Sequence, residues 1–254
     1  METIGLIAAM PLESEALLHY VKKWSRTSFG TFRGARFRLV ERDCLLFTSG
    51  MGLTHAMDAT RTLLAEISPH LLVSFGIAGA VQADLTVGDV VISQNTCLLD
   101  KGLLGKFQSL AALSEAAWNA AALVLQIDGA RLVPGTAITT HGSQVLQQQL
   151  EGMVHPVLDM ETAGIVQVAS EMRIPLLSIR SVSDSPRSPI PFDLETILDE
   201  KYKLRIGKLL MLVLRRPQII FQSLQMIQNS RKAAHHAAMA LVAALVQPSA
   251  VTVP

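Results

Sequence analysis

Between residues 4 and 182 the chain alternates short apolar, β-rich runs with longer stretches of helical spacing. Strands are expected over residues 4–9, 44–48, 70–75, 88–93, 136–140, 156–160 and 175–182. Helices are expected over 13–23, where Leu17, Leu18 and Val21 share a face, and over 54–67, 110–126 and 161–172. Residues 29–42 have hairpin character, with Gly30 and Gly34 as turn residues. A βαβ rhythm of this kind predicts an α/β fold, with helices on both faces of a sheet. Neither an internal repeat nor a Gly/Ser linker interrupts it.

Charge divides the chain in two. Residues 201–254 carry eight Lys and Arg and no Asp or Glu, whereas residues 1–200 carry 14 basic and 21 acidic residues. The expected organisation is a body over 1–200 and a basic, apolar helical extension over 201–254. That extension contains the apolar run of residues 209–214, then Arg215-Arg216-Pro217, then a second helical pattern over 218–245 with Ile220, Leu224 and Ile227 at helical spacing. Two roles suit it: contact with an anionic membrane surface, or a helical pair that closes the sheet or a subunit interface.

Composition excludes several classes. At 254 residues with half of them hydrophobic, one domain can bury about three quarters of its surface. Two cysteines, Cys44 and Cys97, make neither a disulfide framework nor a four-cysteine zinc site. No cluster has metal-ligand spacing, so neither metal nor cofactor is expected. The acidic body argues against nucleic-acid binding. The first residues lack a basic stretch, and no apolar run reaches about 18 residues, so no leader and no spanning helix are expected. The expected location is cytoplasmic, and peripheral to the inner membrane if the extension meets lipid.

The chemistry-bearing residues gather where strands end, which is where open α/β sheets place their ligands. Glu13 follows the first strand, Glu161 follows residues 156–160, and Asp184 follows residues 175–182. Each alone has a plainer reading: a helix-start charge for Glu13, a cap for Glu161, and a turn residue before Ser185-Pro186 for Asp184. Met160 alone reads as core, and Arg180 in an apolar strand requires a carboxylate partner. His55 and His141 lie in loops near the inferred site and read as structural, while His235-His236 read as solvated. Gly50-Met51-Gly52 lacks the third glycine of a dinucleotide loop.

The ordered set of motifs resembles the nucleoside phosphorylase superfamily, and within it the methylthioadenosine/S-adenosylhomocysteine nucleosidases. The set comprises Ala9-Met10 with Glu13, Ser49-Gly50-Met51-Gly52, Phe75-Gly76-Ile77-Ala78-Gly79, Asp159-Met160-Glu161-Thr162, and Arg180 with Ser183-Asp184. The resemblance spans roughly residues 4–200. It implies a three-layer αβα phosphorylase-like fold around a mixed, twisted sheet. It also implies cleavage of the N-ribosidic bond of an adenine nucleoside through an oxocarbenium-like ribosyl. By the same resemblance Asp184 is the acid that protonates adenine and Ser183 orients it. Glu161 binds the ribose hydroxyls and stabilises the cation, and Glu13 with Arg180 positions the nucleophile. Met160 packs under the sugar, and Met10, Gly50, Gly52, Gly76, Ile77 and Gly79 line the ligand. A homodimer is the assembly it implies.

Two departures bear on the substrate. Phosphate-using members resemble one another in an Arg and a Ser or Thr where this chain has Ser74 and Ile77. They also carry a Gly-Asp-Pro-x-Arg loop where it has Met10-Pro11-Leu12-Glu13. Without those donors the usual phosphate site is missing, which favours water as nucleophile. Against the nucleosidases, Ile77 replaces a Ser and the segment between Thr140 and Asp159 is shorter. Those places, with Arg215-Arg216-Pro217-Gln218 through Ser230-Arg231, are similar to the hopanoid-associated nucleoside phosphorylases. That likeness implies phosphorolysis of a lipid-linked substrate such as adenosylhopane. A non-catalytic nucleoside-binding protein is the reading from another class.

Overall fold

The computed structural model of the chain describes residues 2–105, 108–140, 147–186 and 218–252. His141 and the extension as far as Pro217 lie outside the described residues.

Strand β1 (Glu2–Ala8) sits between β4 (Arg42–Thr48) and β5 (Leu71–Ala80), parallel to both. Its residues alternate between two cores. Ile4, Leu6 and Ala8 face helices α1 (Pro11–His19), α3 (Glu115–Ile127) and α5 (Gln218–Leu245). Ile7 faces α2 (Leu53–Glu66) and α4 (Thr162–Glu171) on the other side. A strand covered on both faces reads as one unbroken apolar run, which is why residues 4–9 carry no polar alternation. The mixed sheet with helices on both faces is the expected αβα arrangement.

The sheet has eleven strands among the described residues. At one side β2 (Trp24–Phe29) and β3 (Phe32–Leu39) extend it antiparallel from β4. At the other, β12 (Leu176–Asp184) runs parallel to β5 and antiparallel to β6 (Val90–Asp100). Strand β10 (Leu132–Thr140) runs parallel to β6, and β11 (Pro156–Asp159) parallel to β10. Strand β11 then returns to β5 in antiparallel register, Leu158 opposite Gly79 and Val157 opposite Ala80. Strands β5, β12, β6, β10 and β11 therefore close a five-membered ring at the end of the open sheet.

Several elements differ from their sequence expectations for local reasons. Gly34 is not a turn residue: it lies within β3, where an added Cβ would come 2.1 Å from the Leu46 carbonyl oxygen. The second turn falls at Val40 and Glu41, with Val40 at a φ of +52°. The helix expected over 110–126 starts only at Glu115, because Ser114 caps it by accepting from the Ala117 N–H at 3.2 Å; the residues just before are the short strand β9 (Ala112–Leu113). Strand β6 runs far past Ser93. Its Asn95, Thr96 and Gln94 are polar, and pairing rather than apolarity carries the strand on.

Helix α5 spans the expected 218–245. Its second half presents Ala233, Ala234, Ala237, Ala238, Ala240, Leu241, Ala244 and Leu245 to the main core, all buried. Small side chains let the helix lie close on α3 and the sheet. Arg42 holds its C-terminal end: Nη1 donates to the carbonyls of Leu245 and Gln247 (2.8 Å to the latter), and Nη2 to that of Pro248 (2.7 Å). Its Nε pairs with Glu2 at 2.7 Å. The histidines expected in solvent are packed instead. His236 is 2% exposed and its Nδ1 lies 2.7 Å from the Gly88 carbonyl oxygen. His235 meets the Tyr20 hydroxyl at 2.6 Å. Toward the helix's N-terminal side Leu224 and Ile227 are exposed, 53% and 44%. Among the described residues no helix is long and apolar enough to cross a membrane.

Candidate active site

The site grows around Gly76 of β5. Glu13 is the third residue of α1 and is buried. Its Oε2 accepts the Met10 N–H at 2.8 Å, and its Oε1 accepts the Ile77 N–H at 2.9 Å. Glu13 is thus a first-turn helix residue and also a bridge from α1 to β5. A Cβ on Gly76 would lie 2.2 Å from its Oε1, so only glycine admits the carboxylate there. Burial raises the Glu13 pKa, against the two N–H donors and the charge of Arg180.

Glu161 arrives from the far side of the ring. Because β11 runs antiparallel to β5 with Leu158 opposite Gly79, the residues after Leu158 run back along β5 toward Gly76. Glu161 occupies the N-cap position of α4 without capping it. Its Oε1 instead accepts the Gly52 N–H at 2.8 Å, and its Oε2 the Met160 N–H at 3.2 Å. Gly50 and Gly52, with φ of +85° and +101°, form the turn that aims that N–H. Burial and the charge of Asp159 push the Glu161 carboxyl up to about 7, with Glu13 adding to the rise and Gly52 and Arg180 opposing it.

Asp184 ends β12. Ser183 donates its hydroxyl to Asp184 Oδ1 at 2.7 Å, as expected of an orienting residue. A Cβ on Gly79 would lie 2.8 Å from Asp184 Oδ2. Burial raises the Asp184 pKa, and only the Ser183 hydroxyl opposes it. The group is therefore biased toward the protonated form that an acid catalyst needs.

Arg180 is placed differently from the expected pair with Glu13. It lies opposite Gly76 in the register and acts on Glu13 through space. Its hydrogen bonds go elsewhere: Nε to Asp159 Oδ2 at 2.9 Å, and Nη2 to Ser74 Oγ at 2.6 Å and Thr162 Oγ1 at 2.7 Å. Asp159 is the carboxylate partner that a buried arginine requires. It also accepts from Thr139 Oγ1 at 2.6 Å, from the N–H groups of Glu161 and Thr162, and from the Thr162 hydroxyl. Burial alone would raise the Asp159 carboxyl; Arg180 and these hydrogen bonds hold it below its ordinary value. Asp159 is the site residue that sequence reading passed over, though a lone arginine in an apolar strand was the signal for it.

Exposure sorts the set into floor and rim. Glu13, Glu161, Arg180, Ser183, Gly52 and Gly76 are buried, whereas Met10, Gly50, Ile77, Gly79, Met160 and Asp184 are partly exposed. Met10, Met160 and Asp184 thus lie nearer solvent than the two glutamates. His55 is exposed and spends its Nδ1 on the Met51 carbonyl oxygen at 2.9 Å, so nothing draws it into the cleft. Among the described residues no group of three or more His, Cys, Asp or Glu is placed to hold a metal ion.

Comparison with known proteins gives the arrangement a lineage. The 5'-methylthioadenosine/S-adenosylhomocysteine nucleosidase of Shewanella halifaxensis is 29% identical over 210 residues, covering 75% of this chain and 90% of the relative. That of Buchnera aphidicola is 27% identical over 198 residues, covering 72% and 84%. Among solved structures, the nucleosidase of Colwellia psychrerythraea in complex with adenine superposes with a TM-score of 0.73 at 19% identity, over 100% of this chain and 98% of that one. The futalosine hydrolase of Helicobacter pylori gives 0.68 at 17%, over 95% and 96%. The family profile described as "Phosphorylase superfamily" matches residues 3–211, and the chain belongs to that superfamily.

Proposed function

We propose that this chain cleaves the N-ribosidic bond of an adenine nucleoside and releases adenine, with water as the nucleophile. The observation that carries the reading is the division of labour among three carboxylates in one cleft. Asp184 has its pKa raised by burial and an orienting hydroxyl beside it. It suits proton donation to the base, which makes adenine a competent leaving group. Glu161, fixed by the Gly52 and Met160 N–H groups, suits the ribose hydroxyls and the cationic sugar in the transition state. Glu13, held by backbone donors at Met10 and Ile77, suits the attacking water.

Water is favoured over phosphate by the donors present. Ser74 is fully buried and accepts from Arg180 at 2.6 Å, Ile77 offers no hydroxyl, and Arg180 is committed to Asp159. A phosphate dianion would meet Glu13 and Glu161 instead of cations. The names of the relatives and neighbours, nucleosidases for methylthioadenosine and S-adenosylhomocysteine and a hydrolase for futalosine, support the same class of chemistry.

The test is adenine release from 5'-methylthioadenosine, S-adenosylhomocysteine, adenosine and an adenosyl lipid, each with and without phosphate. Free ribosyl product formed without phosphate is the expected result. Strict phosphate dependence would transfer the chain to the phosphorylases. Tight adenine binding without turnover on any substrate would make it a binding protein.

A further inference from the structure

We infer that Asp159 is a positioning residue for this reaction: it grips Arg180 and the first turn of α4 together, fixing where Glu161 stands and keeping the Arg180 guanidinium hydrogen-bonded to its own carboxylate instead of to either glutamate. The inference rests on the nucleosidase reading above and deepens it.

The geometry assigns every face of the Asp159 carboxylate to the protein. Oδ1 takes Thr139 Oγ1 at 2.6 Å, the Thr162 N–H at 3.2 Å and the Glu161 N–H at 3.3 Å; Oδ2 takes Arg180 Nε at 2.9 Å and the Thr162 hydroxyl. Five donors leave no lone pair for substrate, so Asp159 acts only through its neighbours. Two of those donors are the backbone of Glu161 and the residue after it. The carboxylate thus sets the start of α4, and with it the direction in which the Glu161 side chain leaves toward Gly52. Thr139 adds a second clasp by accepting the Ala163 N–H at 2.9 Å.

The charge pattern gives the arrangement a purpose. Glu161 is faced by Asp159 of β11, Arg180 of β12 and Glu13 of α1, with the Gly52 N–H before α2. Asp159 also faces Cys97 of β6, a thiol pushed up to about 11 and therefore neutral. Arg180 is the single cation in the set. Paired with Glu13 or Glu161, it would hold that glutamate ionised and weaken it as a base. Paired with Asp159 across 2.9 Å, it opposes but does not cancel the rise that burial gives both glutamates, and the Glu161 carboxyl stays at about 7.

The experiment is the pH profile of kcat/KM for adenine release by the wild type, Asp159→Asn, Asp159→Glu and the double variant Asp159→Asn/Arg180→Gln. Asp159→Asn removes the charge that opposes ionisation of Glu161 and frees Arg180. The acidic limb should therefore move to lower pH, on the order of one unit. The kcat should fall about tenfold or more with KM within about threefold, as for a loss felt in the transition state. The double variant should return the limb toward the wild-type position, since both charges go together. Asp159→Glu keeps the charge and shifts its reach, so it should hold the limb and lose kcat. If Asp159→Asn does not fold, Asp159→Glu decides, and wild-type kcat in it overturns the inference. An unmoved limb in a folded Asp159→Asn also overturns it. The Glu161 carboxyl can be titrated by 13C NMR without substrate, comparing wild type with Asp159→Asn. A chain that releases no adenine would defeat the nucleosidase reading, while the NMR shift would still decide the role of Asp159.

Discussion

The cleft and the α5 layer are built on opposite rules. Around Gly76 the chain buries Glu13, Glu161, Asp159 and Arg180 and leaves Glu13, Glu161 and, beside Gly79, Asp184 with raised pKa values. Behind the same strands, α5 and α3 face the sheet mainly with alanine and leucine, and the buried His236 is matched by the Gly88 carbonyl oxygen. Desolvated carboxylates cost stability, whereas close apolar packing supplies it. The ends of the strands around Gly76 thus hold groups kept under electrostatic stress, and the α5 layer holds packing that offsets their cost. Residues 237–245 of α5 contribute through that packing.

That contrast can be broken from either side. The largest effect is expected from Asp184→Asn, which keeps the shape and removes the proton: adenine release should fall about 10²–10⁴-fold, with the melting temperature near wild type. A rate within a few-fold of wild type would remove Asp184 from the mechanism. Next comes Arg180→Met, which strands Asp159 without its cation. Unfolding in urea should show a loss of about 3–5 kcal/mol, and a smaller loss would mean that the hydroxyl donors alone satisfy the carboxylate.

On the packing side, Leu241→Ala should cost about 2–5 kcal/mol through the cavity it leaves while kcat at a permissive temperature stays close to wild type. If instead kcat collapses in the folded protein, the two regions are not independent. The smallest effect has the opposite sign. Glu161 has a raised pKa, so wild type gives up stability as pH climbs from the ordinary glutamate range, about 4, through about 7. Glu161→Gln should therefore match wild type near pH 4 and be more stable by about 1–3 kcal/mol at pH 8, while adenine release is lost. Thermal melts across pH 4–8 check this, and a variant less stable at pH 8 would contradict the stress assigned to that carboxyl.

Much of this was legible in the sequence where the signal is local. The apolar runs at residues 4–9 and 70–75 mark strands buried on both faces, and the helical spacing of Ile220, Leu224 and Ile227 marks the helix over 218–245. The order of Glu13, Met160-Glu161 and Ser183-Asp184 marked the cleft. What escaped reading depends on pairing between distant segments. The polar stretch of β6 is a strand because β10 and the short strand Gln108–Ser109 flank it. Gly34 reads as a turn until the Leu46 carbonyl is set against it. His235 and His236 look like surface residues, but Tyr20 and Gly88 receive them. Asp159 as the partner that Arg180 requires depends on β11 and β12 being brought together, and the antiparallel return of β11 could not be foreseen from its four residues.

The ring of β5, β12, β6, β10 and β11 has a consequence for the order of assembly. Strand β12 bonds to both β5 and β6, so no circuit exists until residues 176–184 are in place, and Asp184 is the final residue of that strand. Contacts spanning more than a hundred positions form slowly. A chain still emerging from synthesis would hold neither a closed ring nor Asp184, and it would acquire both at one stroke. Any chemistry that needs Asp184 is therefore withheld from every half-built form of the chain.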